Sequence, residues 1–120
     1  VSRDRAYLLY IRQSIANVMR LTEAGKDSFL ADGDKQAAVL YYLQTLAEAT
    51  GRVSPTLRAQ QPHIPWDQIR GFRNRIAHEY LGIDLELIWV IIRRELESLA
   101  EAVDVLISLL PDETDEDEKA

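Results

Sequence analysis

Cysteine is absent from this chain. That excludes disulfides and thiolate metal sites, and it is compatible with a reducing cytoplasm. No apolar run reaches the length of a membrane span, and no basic-then-apolar signal segment stands at the N-terminus. A cytoplasmic location with no membrane partner is therefore expected. The chain begins with Val1 rather than Met, so residues upstream of it are expected. No stretch alternates apolar and polar residues as a half-buried strand does, and there is no internal repeat. A glycine-rich phosphate loop, a serine in a nucleophile-elbow context and the second histidine of a metalloprotease helix are all missing. His63 and His78 stand fifteen positions apart, a poor zinc pair without cysteine. No metal and no cofactor is expected.

What is present suits one globular domain. The chain has 120 residues, 47% of them hydrophobic and 28% charged, enough to bury a core. The expected domain covers 1–111, followed by an acidic, solvated and disordered tail over 112–120. The net charge of −6 argues against a general nucleic-acid binder, but its distribution is uneven. Residues 51–78 carry Arg52, Arg58, Arg70, Arg73 and Arg75 against Asp67 alone, whereas 79–110 and 111–120 are each net −5. A local basic site can hold a phosphate while the remaining surface repels non-specific RNA. The plainer reading of the same charges is a helix with solvated arginines.

Helical periodicity dominates. Leu8, Ile11, Ile15, Val18 and Leu21 mark a helix over about 3–24 that Gly25 stops. Residues 25–33 read as a loop with at most one helical turn around Ser28-Phe29-Leu30. Gly33-Asp34 opens a second long helix over about 34–50, with Ala38, Tyr42, Leu46 and Ala49 as its stripe and Gly51 as its end. Ser54-Pro55 is a helix start that leads a short segment. Pro65 begins a helix from Trp66 to about His78, and Gly82 breaks the chain beyond it. Asp84 caps the last helix, which runs to Leu110 before Pro111. There Leu85, Trp89, Ile92, Leu96, Leu99, Val103, Leu106 and Leu110 recur at near coiled-coil spacing, widened by Ile88, Ile91 and Ile107. The expected fold is all-α, an up-down helical bundle. The long last seam adds to the case for a dimer.

The chemistry concentrates in Arg73-Asn74-Arg75-Ile76-Ala77-His78-Glu79-Tyr80. Arginine grips phosphate with a planar donor fork, and histidine moves protons near neutral pH. Arg73 and His78 are five apart, hence about 140° apart around a regular helix. They converge on one phosphate only if the helix loosens near His78, if Arg73 reaches around, or if two copies face each other across a two-fold axis. The last is favoured, with some local loosening. Residue types alone also fit a plainer account. A histidine near a helix end is often a dipole-stabilised surface residue, Asn74 can bond its own backbone, and short patterns have many chance matches.

The segment from Ile64 to Tyr80 resembles the centre of HepT-like proteins of the HEPN superfamily. Ile83-Asp84, Ile88-Trp89 and the stretch from Ala37 to Ala49 fit the same family, although Ala47-Glu48-Ala49 stands where many relatives carry Gly-Glu-Ala. That departure is expected to touch packing and not chemistry. The resemblance implies a bundle of four to five helices, a two-fold homodimer and an endoribonuclease. It implies a toxin of a type VII-like toxin–antitoxin pair. Arg73 and His78 become the catalytic pair, Asn74 a supporting residue, Arg70 and Arg75 phosphate-binding residues. Tyr80 becomes the site at which a partner nucleotidyltransferase, the antitoxin, attaches adenylate. The expected reaction is metal-independent transesterification by the ribose 2′-hydroxyl of RNA. The main rival is a non-catalytic HEPN module that binds nucleotide or RNA, or supports the nucleotidyltransferase. A purely structural helical dimer with solvated arginines is a third reading.

Overall fold

The computed structural model describes residues 3–111, so the acidic stretch over 112–120 lies outside the described residues. The described chain is helical, with no strand. Helix α1 spans Arg3–Leu21, α2 Lys26–Ala31, α3 Gly33–Arg52, α4 Pro55–Arg58, α5 Trp66–Glu79 and α6 Leu85–Ser108. A single 3-10 turn, Tyr80–Gly82, follows α5. Helix α3 lies at the centre of the layer that matters here: α1 packs along one side of it and α5 along the other. Helix α6 packs on α1. No helix among the described residues is long and apolar enough to cross a membrane.

The expected stripe of α1 is in place: Leu8, Ile11, Ile15 and Val18 are buried. The helix ends at Leu21, three residues early, and a turn leads to Gly25. Gly25 has φ +102, a left-handed conformation that an L side chain rarely adopts. The segment after it differs from expectation. Lys26–Ala31 is a helix of its own, not a loop with one turn. Phe29 is fully buried and its ring lies 5.8 Å from that of Trp89. One buried aromatic fixes an element too short to display a period.

Helix α3 begins at Gly33 as expected, and Asp32 before it is the cap, its carboxylate accepting a hydrogen bond from the Lys35 backbone N–H. The helix continues through Gly51 to Arg52. Its buried residues are Val39, Leu40, Leu43, Leu46, Ala47, Ala49 and Thr50, so Ala38 and Tyr42 are not the centre of the stripe. A helix covered from two sides buries a wider face than a single stripe. The start at Ser54-Pro55 is as expected: Ser54 Oγ accepts from the Leu57 N–H. Asp84 caps α6 by accepting from the Glu86 and Leu87 N–H groups. The seam Ile92, Leu96, Leu99, Val103 and Leu106 is buried, with Ile88 beside it.

Helix α5 is anchored differently. Ile76 is its one fully buried side chain. Trp66, Ile69 and Phe72 pack partly against the core. The Trp66 indole N–H donates to the Arg58 and Gln61 carbonyls, which ties the start of α5 to the turn after α4. Apart from Arg73, which is partly buried, the rest of the helix is exposed.

Candidate functional site

Helix α5 spans Trp66–Glu79 and keeps its regular course past His78, and the tightened 3-10 turn begins only at Tyr80. The expected loosening at His78 is therefore corrected: the distortion comes after the histidine, at Glu79 with φ −118 and ψ 21. The i to i+4 hydrogen bonds of the last turn hold His78 in register with Asn74. Arg73 and His78 consequently leave α5 about 140° apart. Arg73 points toward α3, at the edge of the packed face. His78 points away from Ile76 and the core, is exposed, and makes no hydrogen bond or ion pair among the described residues.

Arg73 is held in place by two acceptors. Its Nη2 donates to Glu48 Oε2 at 3.0 Å, and its Nη1 donates to Asn74 Oδ1 at 3.1 Å. Its Nε is enclosed and without a partner among the described residues. Asn74 thus bonds Arg73 and not His78. Glu48 also receives Arg52 at 3.5 Å. One carboxylate stands between two guanidinium groups, which leaves the cluster net positive. The Arg73 hydrogen bond and charge, with those of Arg52 behind them, hold the Glu48 carboxyl below its ordinary value. The sign follows: the pair is fully present above the ordinary carboxylate pKa and is released as pH falls through the lowered one. Near neutral pH, Arg73 is clamped.

Glu48 received no chemical role from the sequence. Its signals were the i, i+4 spacing to Arg52 and its place in Ala47-Glu48-Ala49, whereas Arg73 lies 25 residues away and reaches it only because α5 packs on α3. Glu48 is a positioning residue in this arrangement. If a phosphate is bound by Arg73, Glu48→Ala will lower kcat/KM by up to about 10²-fold, because the guanidinium loses its fixed direction. Glu48→Gln retains an acceptor and will lose less. The comparison is made by initial rates on a labelled oligoribonucleotide.

The other basic residues divide. Arg70 is exposed and forms no ion pair among the described residues. It is four residues before Asn74 and shares its face. Arg75 lies on the opposite flank of α5, paired with Glu79 at 3.2 Å. It lines an apolar groove of about 510 Å³ whose walls include Phe72 of α5, Leu43 of α3, and Ile91 and Leu99 of α6. Arg73, Asn74 and Arg70 are brought together; Arg75 is not with them. Tyr80 is 43% exposed, and Leu81 beside it is fully exposed. Gly71 also lines the groove, is exposed, and has nothing within 4 Å of the position a Cβ would take. It stands seven residues before His78 on the same outward ridge of α5. No group of three or more His, Asp or Glu side chains able to hold a metal is found among the described residues.

Comparison with known proteins gives one consistent result. The family model described as ribonuclease HepT-like matches residues 11–106. A protein of Methanocaldococcus jannaschii provisionally named an RNase is 27% identical over 103 residues, which cover 85% of this chain and 94% of that protein. A protein of Thermococcus cleftensis provisionally named ribonuclease HepT is 29% identical over 94 residues, 78% of this chain and 86% of that one. A protein of Caldanaerobacter subterraneus, also provisionally named an RNase, is 28% identical over 100 residues, 82% of this chain and 89% of that one. No solved structure gives a significant match.

Proposed function

This chain belongs to the HepT-like ribonuclease family, and from that membership we propose that it is a metal-independent endoribonuclease whose site is completed by two copies of the chain. The observation that carries the proposal is the split of α5. Its phosphate-gripping side chain is clamped on one flank, and its unpartnered histidine stands on another. Proton transfer and charge stabilisation then come from different copies, brought together by a two-fold axis.

In this reading His78 takes the proton from a ribose 2′-hydroxyl, and the freed oxygen attacks the adjacent phosphorus. The bond from phosphorus to the 5′-oxygen breaks. Water protonates that leaving oxygen, and His78 gives its proton back to solvent, so that each site needs one Arg73 and one His78. Arg73 stabilises the charge that grows on the non-bridging oxygens. With Nε enclosed, the phosphate meets the two terminal nitrogens, each of which has a second hydrogen beside the one given to Glu48 or Asn74. Arg70 adds positive charge on the same side. The products are a 2′,3′-cyclic phosphate and a 5′-hydroxyl.

Gly71 supports the two-fold contact. An exposed glycine inside a helix costs about 1 kcal/mol relative to alanine, and nothing within this chain crowds the position. A second helix that approaches closely at the α5 ridge gives the missing side chain a reason. The adjoining apolar groove extends the surface that such a contact covers.

The test is cleavage of a labelled RNA in excess EDTA. Activity should persist, with 2′,3′-cyclic phosphate ends. Ends carrying 5′-phosphate that vanish with chelator would instead indicate metal-dependent hydrolysis. A second reading, a non-catalytic RNA- or nucleotide-binding HEPN module, is favoured by one feature: no neighbouring group orients the His78 ring. It predicts RNA binding without cleavage in the same assay.

The protein is further proposed to be the toxin of a toxin–antitoxin pair, silenced at Tyr80. The exposure of Tyr80, two residues past His78, makes its phenol reachable by a second enzyme. A partner nucleotidyltransferase would join that oxygen to the α-phosphorus of ATP, with release of pyrophosphate and of the phenol proton. The added phosphate sits beside the basic cluster and repels RNA. Tyr80→Phe should resist the gain in intact mass on co-expression with the partner and remain toxic. Adenylate found on Tyr7, Tyr10, Tyr41 or Tyr42 with Tyr80 bare would move the control point elsewhere.

A further inference from the structure

The outer face of α3 carries one continuous line of side chains. Tyr41, Thr45, Glu48 and Arg52 follow at steps of four, three and four residues, within about 60° of one another around the helix. Its two middle members are tied to neighbouring helices. Tyr10 of α1 donates its hydroxyl to Thr45 Oγ1 at 2.7 Å, and Arg73 of α5 donates to Glu48 at 3.0 Å. Tyr41 is 59% exposed and Tyr10 40%. Tyr41 rests edge-on against the half-buried Tyr42, with ring centroids 5.6 Å apart. Two aromatic rings, one fixed through its hydroxyl and one braced by a neighbour, therefore lie open on the surface about 10 Å along α3 from the carboxylate that clamps Arg73.

We propose that Tyr10 and Tyr41 form a stacking platform for unpaired bases next to the phosphate held by Arg73, which makes the substrate a single-stranded RNA. The proposal rests on the ribonuclease reading for the place of that phosphate, and its own content is the class of RNA and the track it follows. Stacking needs splayed bases, and a duplex offers no open base face to a flat ring. The charges along the line agree. Glu48 is offset by Arg52 and Arg73, so a strand leaving the cluster meets the rings of Tyr41 and Tyr10 before it meets the exposed carboxylate of Asp34, two turns further up α3. A protein partner would be expected to use a larger apolar patch, whereas Gln13 and Asn17 of α1, bonded to each other at 3.2 Å, follow Tyr10 on the same side.

The test uses the full chain and two RNA probes. One is an unpaired strand of roughly a dozen nucleotides, 2′-O-methylated to block cleavage, a length typical of such tracks. The other is the same sequence as a duplex. Tyr41→Ala should weaken binding of the unpaired strand on the order of tenfold, as loss of a stacked base does. Tyr41→Trp should retain it. Tyr10→Ala should weaken it, and Tyr10→Phe, which keeps the ring, should not. Duplex binding should not respond. Alanine is a strong helix former and both rings are exposed, so the variants fold; circular dichroism checks this. Unchanged affinity of both alanine variants for the unpaired strand overturns the platform, as does loss of a protein complex with RNA affinity intact. A parent that binds the strand through Tyr41 but cuts no RNA removes the ribonuclease reading alone.

Discussion

His78→Ala will lose RNA cleavage by about 10²–10⁴-fold, the usual effect of removing a general acid–base group, and its melting temperature will not fall. The second half of that statement follows from the fold. His78 is exposed on the last turn of α5 and is not among the residues that anchor the helix, which are Ile76 and the partly buried Trp66, Ile69 and Phe72. Alanine is the better helix former, so the substitution is neutral or mildly stabilising. Loss of rate with an unchanged melting curve would place the effect on chemistry. A variant that cuts RNA as fast as the parent removes His78 from the mechanism, whatever the family resemblance.

The contrast with Arg73 sharpens this expectation. Arg73 is partly buried and bound to Glu48 and Asn74. Removing it deletes the donor that the proposed mechanism aims at the phosphate, and leaves Glu48 paired with Arg52 alone. Arg73→Lys cannot restore the arrangement, because one ammonium does not reproduce a planar fork that meets Glu48, Asn74 and a phosphate at once.

The residue types of this site were legible in the sequence, and so was their angular conflict. Five positions on a helix give about 140° whatever the tertiary fold. The regular geometry of α5 through His78 makes that conflict real, where loosening near Gly82 had offered a way out. Glu48 was not legible as chemistry. Its meaning depends on α5 lying along α3, and no local pattern encodes which helices are neighbours. The same limit explains α3, where Ala38 and Tyr42 gave a plausible stripe until contacts on two sides moved the buried face to Val39, Leu40 and Leu43. Helix α6 read well because its apolar residues fall on one seam that faces one interior. Helix α2 is held by Phe29 against Trp89, sixty residues away in sequence.

Mixing two inactive variants will restore activity if the site is shared between copies. In a heterodimer of His78→Ala with Arg73→Ala, one of the two sites takes Arg73 from the first chain and His78 from the second, and is intact. The other site collects both defects. Equal mixing with free exchange gives half heterodimers, so recovery should approach about a quarter of the parent rate under an isologous two-fold contact. Sites contained within single chains would each keep one defect, and the mixture would stay as inactive as its components. The geometry of α5 favours recovery: within one chain His78 leaves the helix away from the core while Arg73 is fastened to α3 by Glu48, and the exposed ridge of Gly71, Asn74 and His78 is free to meet its own copy. A bulky charged residue on that ridge supplies the matching control. Gly71→Glu leaves both catalytic side chains in place, and it should abolish recovery and dimer mass together. Recovery that survives in a strictly monomeric Gly71→Glu background would sink the shared site.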